Sequence, residues 1–302
     1  MNPLALIAGD AHPGLAREIA RQAQVPLLPA SISAFADGET RVRIEADVRG
    51  TDLVIVQPTS SPAGERLLTL ALIADAARAA GAARITALVP YFGYARQDVR
   101  KDPGEPRSAQ LAARILAAAG IDRVIVLELH ASALENAFPM PVTHLRADEL
   151  LLPHLRGQRL AIVSPDAGGL KRAQRYAMAL GAPLAVVAKQ RTGADVAVPL
   201  QVLGEVRGEA CLLVDDMAST GRTIAGAAQA LLAAGAAEVH ALFIHAVMAS
   251  GALERMRAAG VRRVVTTDSV GPVAGPGLEV ARTAPLFAAA LKEMLLTVEV
   301  RT

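Results

Sequence analysis

Along the chain, apolar positions fall into two alternating kinds of run. Short blocks rich in Val, Ile and Leu give way to longer Ala-rich stretches in which apolar residues recur at spacings of three and four. A block that is apolar at every position has no solvent face, so it reads as a strand covered on both sides. Strands are accordingly predicted at Leu4–Ala8, Leu53–Gln57, Ile85–Pro90, Val124–Leu129, Leu160–Ser164, Leu184–Ala188, Ala210–Val214, Val239–His245 and Val261–Thr267. The intervening stretches Gly64–Ala80, Ser108–Ala119, Gly169–Leu180 and Thr223–Ala234 read as helices, several of them ending near a glycine able to cap a C-terminus. Strand and helix alternating in this way define an α/β protein of mainly parallel sheets flanked by helices.

The strand–helix units near Val54–Ala80 and Leu160–Leu180 fall at comparable points of two halves, which places a boundary near residue 146 and predicts tandem domains over 1–146 and 147–302. Open parallel sheets bind ligands beyond the C-terminal ends of their strands. The polar clusters Val89-Pro90-Tyr91, Glu128-Leu129-His130, Ser164-Pro165-Asp166, Lys189 and Asp215-Asp216 all stand at such ends. Phe35–Ile44, with the turn signal Asp37-Gly38, reads as a hairpin projecting from the first half. Residues 191–209 are compatible with antiparallel strands or a mobile flap, and are assigned as a flexible loop with strand character.

Composition narrows the function classes. A chain of 302 residues, 52% of them hydrophobic, can fill two cores. The net charge of +2 arises from 31 basic and 29 acidic residues, so no basic face for nucleic acid is implied. Cys211 is the single cysteine and sits in an apolar run, where it reads as a small buried hydrophobe. The N-terminal residues lack a basic leader region, and no apolar stretch approaches the roughly 18 residues that span a bilayer. A soluble cytoplasmic protein without a membrane partner is expected.

The most specific chemical signal is Leu212-Leu213-Val214-Asp215-Asp216-Met217-Ala218-Ser219-Thr220-Gly221-Arg222-Thr223. An apolar strand delivers two carboxylates to its end, and a turn of small and hydroxyl residues leads into a helix whose free N–H groups point back at the turn. Backbone donors from Ala218 to Thr223, the hydroxyls of Ser219, Thr220 and Thr223, and the positive helix end suit a phosphate monoester. Asp215 and Asp216 suit instead the vicinal hydroxyls of a ribose or a Mg2+ brought by the substrate.

This segment resembles the phosphoribosyl diphosphate (PRPP) loop of the type I phosphoribosyltransferase fold. Ala34-Phe35-Ala36-Asp37-Gly38-Glu39, Pro90-Tyr91-Phe92-Gly93-Tyr94-Ala95-Arg96-Gln97-Asp98, Leu129-His130-Ala131 and Ser164-Pro165-Asp166-Ala167-Gly168-Gly169 follow in the order and spacing of the ribose-phosphate pyrophosphokinase (PRPP synthetase) family. Gly9 to Leu15 and Val56 to Ser60 are similar to it as well, so the likeness spans nearly the whole chain. It implies two phosphoribosyltransferase-like domains and transfer of a diphosphoryl group from ATP to ribose 5-phosphate, with Mg2+ as cofactor. Phe35, Asp37 and Glu39 would then clamp adenine, and Arg96, Gln97 and Asp98 would belong to the ATP site, where Arg96 offers a bidentate fork for phosphate oxygens. His130 and Asp166 would serve the Mg2+ that accompanies ATP, His130 also touching the nucleotide. Asp215, Asp216 and Ala218 to Thr223 (Ala218, Ser219, Thr220, Gly221, Arg222, Thr223) would bind ribose 5-phosphate. Lys189 and Arg191, opening the loop 189–209, would be catalytic. Among the other histidines, His12 matches a position near ATP, while His144, His154 and His240 belong to no motif and are expected to be surface or packing residues.

The resemblance also implies self-association into dimers or hexamers, the hairpin of one subunit completing a neighbour's ATP site. Ser219 stands where an aspartate is usual, Glu128 replaces an aspartate, and Lys101 to Pro106 departs from the family's basic regulatory stretch. Altered regulation is the corresponding expectation. The alternative reading is a catalytically weak or inactive paralogue that binds nucleotide or sugar phosphate as a regulatory subunit. Retention of Lys189, Arg191, Asp215, Asp216 and His130 together favours the enzyme.

Overall fold

The computed structural model describes residues 2–100, 102–189 and 200–299. They form two compact units. In the first, β1 (Leu4–Ala8), α1 (Pro13–Ala23), β2 (Leu27–Leu28), β3 (Ala30–Ala34), β4 (Thr40–Ile44), β5 (Asp52–Val56), α2 (Ala63–Ala79), β6 (Arg84–Val89), α3 (Ser108–Ala118), β7 (Arg123–Leu127) and β8 (Val142–Leu145) follow in order. In the second come α4 (Asp148–Leu151), β9 (Ala161–Ser164), α5 (Leu170–Leu180), β10 (Leu184–Lys189), β11 (Leu200–Leu203), β12 (Ala210–Met217), α6 (Arg222–Ala233), β13 (Glu238–His245), α7 (Ala252–Ala258), β14 (Val261–Thr267) and β15 (Leu278–Ala281), and α8 (Ala284–Glu299) closes the chain.

The first sheet has the order β2-β1-β5-β6-β7-β8 and the second β11-β10-β9-β12-β13-β14-β15. With β11 set aside, the two orders superimpose strand for strand: β1 on β9, β2 on β10, β5 on β12, β6 on β13, β7 on β14 and β8 on β15. All these neighbours are parallel, and only β11 runs antiparallel, against β10. In both sheets the first strand lies inside, its successor adds on one side and the next on the other, which makes a topological switch point beside β1 and another beside β9.

Burial explains the strand pattern. In the first unit Ala5, Ile7, Leu53, Ile55, Ile85, Ala87, Val124 and Val126 face one cluster with Leu67, Leu70 and Ile73 of α2 and Ala109 and Leu116 of α3. The alternate residues Leu4, Leu6, Val54, Val56 and Leu88 are equally buried and so turn to the opposite face, where α1 packs on β1. The hairpin β3–β4 lies outside the sheet and rests on α2 through its inward residues Ile32, Val42 and Ile44. It begins at Ala30, before the expected Phe35, because Ala30↔Ile44 to Ala34↔Thr40 all pair and leave Phe35–Glu39 as the tip.

The division falls between Arg146 and Ala147, but the second unit does not run to the C-terminus as expected: Ser269–Pro272 and the chain from Arg282 onward belong with the first. The cause is α8, whose buried stripe Ala284, Phe287, Ala288 and Leu291 recurs at helical spacing, and which contacts α1. Full burial of Phe287 and Leu291 contributes roughly 1.5–3 kcal/mol each. Strand ends shift slightly from the predicted ones: Gln57, Pro90, Glu128 and Leu129 lie just beyond their strands, and β12 continues to Met217. Of the expected loop 189–209, Leu200–Leu203 is strand β11, and 190–199 lie outside the described residues.

Candidate active site

The switch point of the second unit joins the loop after β9 to the loop after β12. At the end of β12, Asp215 and Asp216 come in succession, and both carboxylates face the same guanidinium while differing in exposure. Asp216 has only 3% of its side chain exposed and Asp215 has 18%. Arg172, buried on α5, places its guanidinium 3.8 Å from Asp215 and 3.7 Å from Asp216. Burial, with the Asp216 carboxylate beside it, pushes the Asp215 carboxyl well above the usual carboxylate range, against the pull of Arg172. Of the two acids expected to meet a ligand, Asp215 is therefore the accessible one. Asp216 is largely enclosed beside Arg172, a partner the sequence reading did not single out, although Arg172 follows the Ser164 to Gly169 motif directly.

Beyond the carboxylates, the N–H of Ala218 donates to the His245 carbonyl (3.1 Å), so this residue supplies no backbone donor to a phosphate as expected. Ser219 is tied at its carbonyl, which accepts from Ala249 N–H (3.0 Å), while Arg255 holds the carbonyl of Thr220. Gly221 adopts φ 72°, and a Cβ there would lie 2.7 Å from the Ala252 carbonyl oxygen. That turn starts α6 and leaves the exposed Thr220, Arg222 and Thr223 around its N-terminus. Among the described residues the N–H groups of Ser219, Thr220 and Gly221 have no acceptor, so three donors stand unspent in the turn before the positive end of α6. Opposite in topology, Asp166 after β9 is exposed; its Oδ1 accepts from Gly169 N–H (3.0 Å) and its carbonyl accepts from the Ser164 hydroxyl (2.6 Å).

Lys189 is the last residue of β10, with its side chain outside the described residues, as is the whole of Arg191. Cys211 is buried, and burial pushes its thiol up to about 11, so it is not a nucleophile at neutral pH.

The polar groups of the first unit stand at the ends of β6 and β7 and at the hairpin tip. Gly93 approaches the Thr59 carbonyl so closely that a Cβ would sit 2.3 Å from it, and its N–H donates to the Thr59 hydroxyl (2.7 Å). Thr59 N–H in turn donates to the Tyr91 carbonyl (2.9 Å). This fixes a turn in which Phe92 packs on Phe138 (5.0 Å between centroids), Tyr94 takes φ 64°, and Arg96 and Gln97 are left exposed with Asp98 partly so. His130 is exposed in the loop after β7. At the hairpin tip Phe35 is 50% exposed, Arg41 lies 5.6 Å over its ring, and Asp37 accepts from Glu39 N–H (3.1 Å). His12 does not reach out: it is buried and caps α1, accepting from Leu15 N–H (3.2 Å).

Among the described residues no three His, Cys, Asp or Glu side chains stand together as a metal cage. The exposed His130 and the exposed Asp166 are each a donor of the kind that a largely hydrated Mg2+ accepts. No helix of the described residues is long and apolar enough to cross a membrane.

Comparison with known proteins bears on the family and the fold. Residues 4–120 match the N-terminal domain of ribose phosphate pyrophosphokinase, and residues 130–280 match the phosphoribosyl transferase domain. The chain is 41% identical to the ribose-phosphate pyrophosphokinase of Cereibacter sphaeroides, covering 96% of this chain and 91% of that protein. To the enzyme of the same name from Maricaulis maris it is 42% identical over 96% of both. The crystal structure of phosphoribosylpyrophosphate synthetase from Mycobacterium smegmatis is similar with a TM-score of 0.92 and 36% identity, covering 98% of this chain and all of that one.

Proposed function

The chain belongs to the ribose-phosphate pyrophosphokinase family, and from that premise we propose that it transfers the β,γ-diphosphoryl group of ATP to the C1 hydroxyl of ribose 5-phosphate, releasing PRPP and AMP. The observation that carries the reading is the seat at Ser219 to Thr223. It offers unspent N–H donors and a helix N-terminus to a phosphate dianion, and it follows in the chain on a carboxylate, Asp215, able to accept from ribose hydroxyls. A phosphate seat and a hydroxyl acceptor on one strand–turn–helix segment suit a pentose 5-phosphate.

Each ligand is assigned to one unit. Ribose 5-phosphate takes the second, its phosphate at Ser219, Thr220, Gly221, Arg222 and Thr223 and its hydroxyls at Asp215 and Asp216, of which Asp215 is the more exposed, with Arg172 facing both carboxylates. ATP takes the first, its adenine at Phe35, Asp37 and Glu39 and its phosphates near Arg96, Gln97, Asp98 and His130. Mg2+ enters as part of the MgATP substrate, with His130 and Asp166 as its protein contacts, and supplies charge neutralisation on the phosphate oxygens. Attack of the C1 hydroxyl on the β-phosphorus expels AMP, and in such transfers the protein contributes position and cationic stabilisation more than covalent chemistry. Lys189 and Arg191 are placed in that stabilising role. The enzyme is cytoplasmic and works as an oligomer in which the Phe35 tip completes a neighbour's nucleotide site.

The test is an assay of the purified protein for AMP release from MgATP with and without ribose 5-phosphate, PRPP being identified by mass. Equal amounts of AMP and PRPP, formed only with the sugar present, are expected. Binding of both ligands without turnover would instead establish a regulatory paralogue.

A further inference from the structure

The segment that forms β8 was not predicted as a strand, and its His144 was expected to be a surface or packing residue, yet its last residues grip the loop that presents His130. The register pairs Val126 with His144 and Leu127 with Leu145. Beyond the end of β7, the N–H of Glu128 donates to the Leu145 carbonyl (2.9 Å), and the N–H of Leu129 donates to His144 Nε2 (2.9 Å). Arg146 then lies 3.8 Å from the buried Glu128 carboxylate. Three consecutive residues thus hold two consecutive residues of the loop. Glu128 needs holding, since it takes φ 39°, a conformation that a residue with a Cβ seldom adopts without support.

The role of His144 fixes its tautomer. Nε2 accepts from a backbone N–H, so it bears a lone pair, and the ring proton resides on Nδ1. That nitrogen lies 2.5 Å from Glu135 Oε1, on the 3-10 turn Ser132–Ala137 that directly follows His130, and donates to it. The imidazole, with 5% of its side chain exposed, therefore ties the loop before His130 to the turn after it.

We propose that His144 and Glu135 are positioning residues that set the place of His130 through the Leu129 amide. The inference rests on the reading that His130 serves the phosphate and Mg2+ end of ATP. A group aimed at a metal-bearing phosphate acts only within narrow geometry, and loss of the residues that orient such a group typically costs about 10–100-fold.

Two readouts test it on the full-length protein. In amide hydrogen exchange, His144→Ala is expected to speed exchange at Leu129 by about a hundredfold while amides of β6 stay slow. His144→Gln, whose Oε1 can replace the Nε2 acceptor, should keep it within about threefold of the parent. In kinetics, His144→Ala should raise KM for MgATP or lower kcat by about tenfold or more with KM for ribose 5-phosphate unchanged, and His144→Gln should recover most of the loss. Glu135→Gln, altered on a partly exposed side chain, should show a smaller defect of the same kind and keeps the test open if His144→Ala fails to fold. A Leu129 amide that stays protected in His144→Ala would overturn the clamp. Unaltered MgATP kinetics in His144→Ala, with His130→Ala impaired, would overturn the positioning role. Unaltered kinetics in His130→Ala would instead remove the reading of His130 itself, and the inference with it.

Discussion

The two sheets share one strand order, yet their switch points have opposite fates. In the second unit the loop after β12 ends in a glycine turn with N–H donors unspent, and Asp215 is held at the surface of the site by Arg172. In the first, the equivalent place after β5 is filled by the protein's own side chains. Gln57, fully buried, donates from Nε2 to Asp10 Oδ1 (2.8 Å) and accepts at Oε1 from Ala11 N–H (3.1 Å), and Arg66 closes the gap by pairing with Asp10. Prolines at 58 and 62 remove two donors from the loop that would correspond to the phosphate seat. Gln57 stands one residue past the last that pairs with β1, Val56, and Asp215 two past the last that pairs with β9, Leu213. An amide in that position can be satisfied on both sides from within; a carboxylate beside another carboxylate cannot. One duplicated frame thus yields one open seat and one sealed one, and the first unit displays its polar groups at the next strands, β6 and β7.

The largest consequence concerns the strands flanking the switch points. β10 ends in Lys189 whereas its counterpart β2 ends in Leu28, so only the second unit places a cation there. Lys189→Ala is expected to lower kcat by about a thousandfold while the dissociation constant for ATP changes less than about threefold, because a charge that acts on the transition state contributes little to ground-state binding. Turnover and equilibrium nucleotide binding measured on one preparation separate the two. Unchanged kcat would remove Lys189 from the chemistry and with it this difference between the units.

Glycine substitutions sharpen the contrast between seat and plug. At Gly221, which has φ 72° and whose Cβ would press on the Ala252 carbonyl, alanine should distort the seat and weaken ribose 5-phosphate binding by about a hundredfold. At Gly9, a Cβ would fall 2.1 Å from Gln57 Oε1, inside the plug. Gly9→Ala should therefore cost stability, about 2–3 kcal/mol by overpacking, and leave the affinity of the folded fraction for ribose 5-phosphate unchanged. Calorimetric titration and denaturant unfolding on both variants check the pair. A loss of sugar-phosphate affinity in Gly9→Ala would mean that the first switch point is not sealed off from the ligand.

Much of this frame was legible in the chain, for reasons the structure makes physical. Strands such as Asp52–Val56 and Arg123–Leu127 sit inside a sheet with helices on both faces, so their sequences are apolar after the first residue and need no partner to be recognised. The short strands β2, β8 and β15 were missed, because an outer strand of few residues owes its existence to a neighbour's free edge and not to its own composition. The attachment of α8 to the first unit was missed for a similar reason: an apolar stripe says that a helix packs, not on what. In the site, contiguous motifs such as Asp215 to Thr223 were readable. Arg172 and His144 act across the fold on groups distant in sequence, Arg172 on Asp215 and Asp216 and His144 on Leu129, and only the register brings them together.

The smallest expected effect has a sign that depends on which switch point is touched. In the folded protein the Asp215 carboxyl titrates above its unfolded value, so the folded state holds that proton more tightly than the unfolded chain does. The contribution is harmless below the unfolded value, near pH 4, and becomes a cost as pH rises through the folded value, since the charge must then be kept in a poorly solvated place beside Asp216. Asp215→Asn removes that cost, and the ligand-free protein should gain stability at neutral pH, an advantage that fades as the pH is lowered toward 4. The same change should weaken ribose 5-phosphate binding about tenfold, because an amide cannot accept from two sugar hydroxyls as a carboxylate does. Asp10→Asn, made in the sealed site, keeps the Gln57 contact but gives up the charge facing Arg66. Since the two side chains are 33% and 25% exposed, the loss is about 0.5–1 kcal/mol, with no change in sugar-phosphate affinity. Melting curves of the two variants across pH, with and without ribose 5-phosphate, should therefore move in opposite directions. If both fall, Asp215 is a structural carboxylate like Asp10, and the second switch point is as self-satisfied as the first.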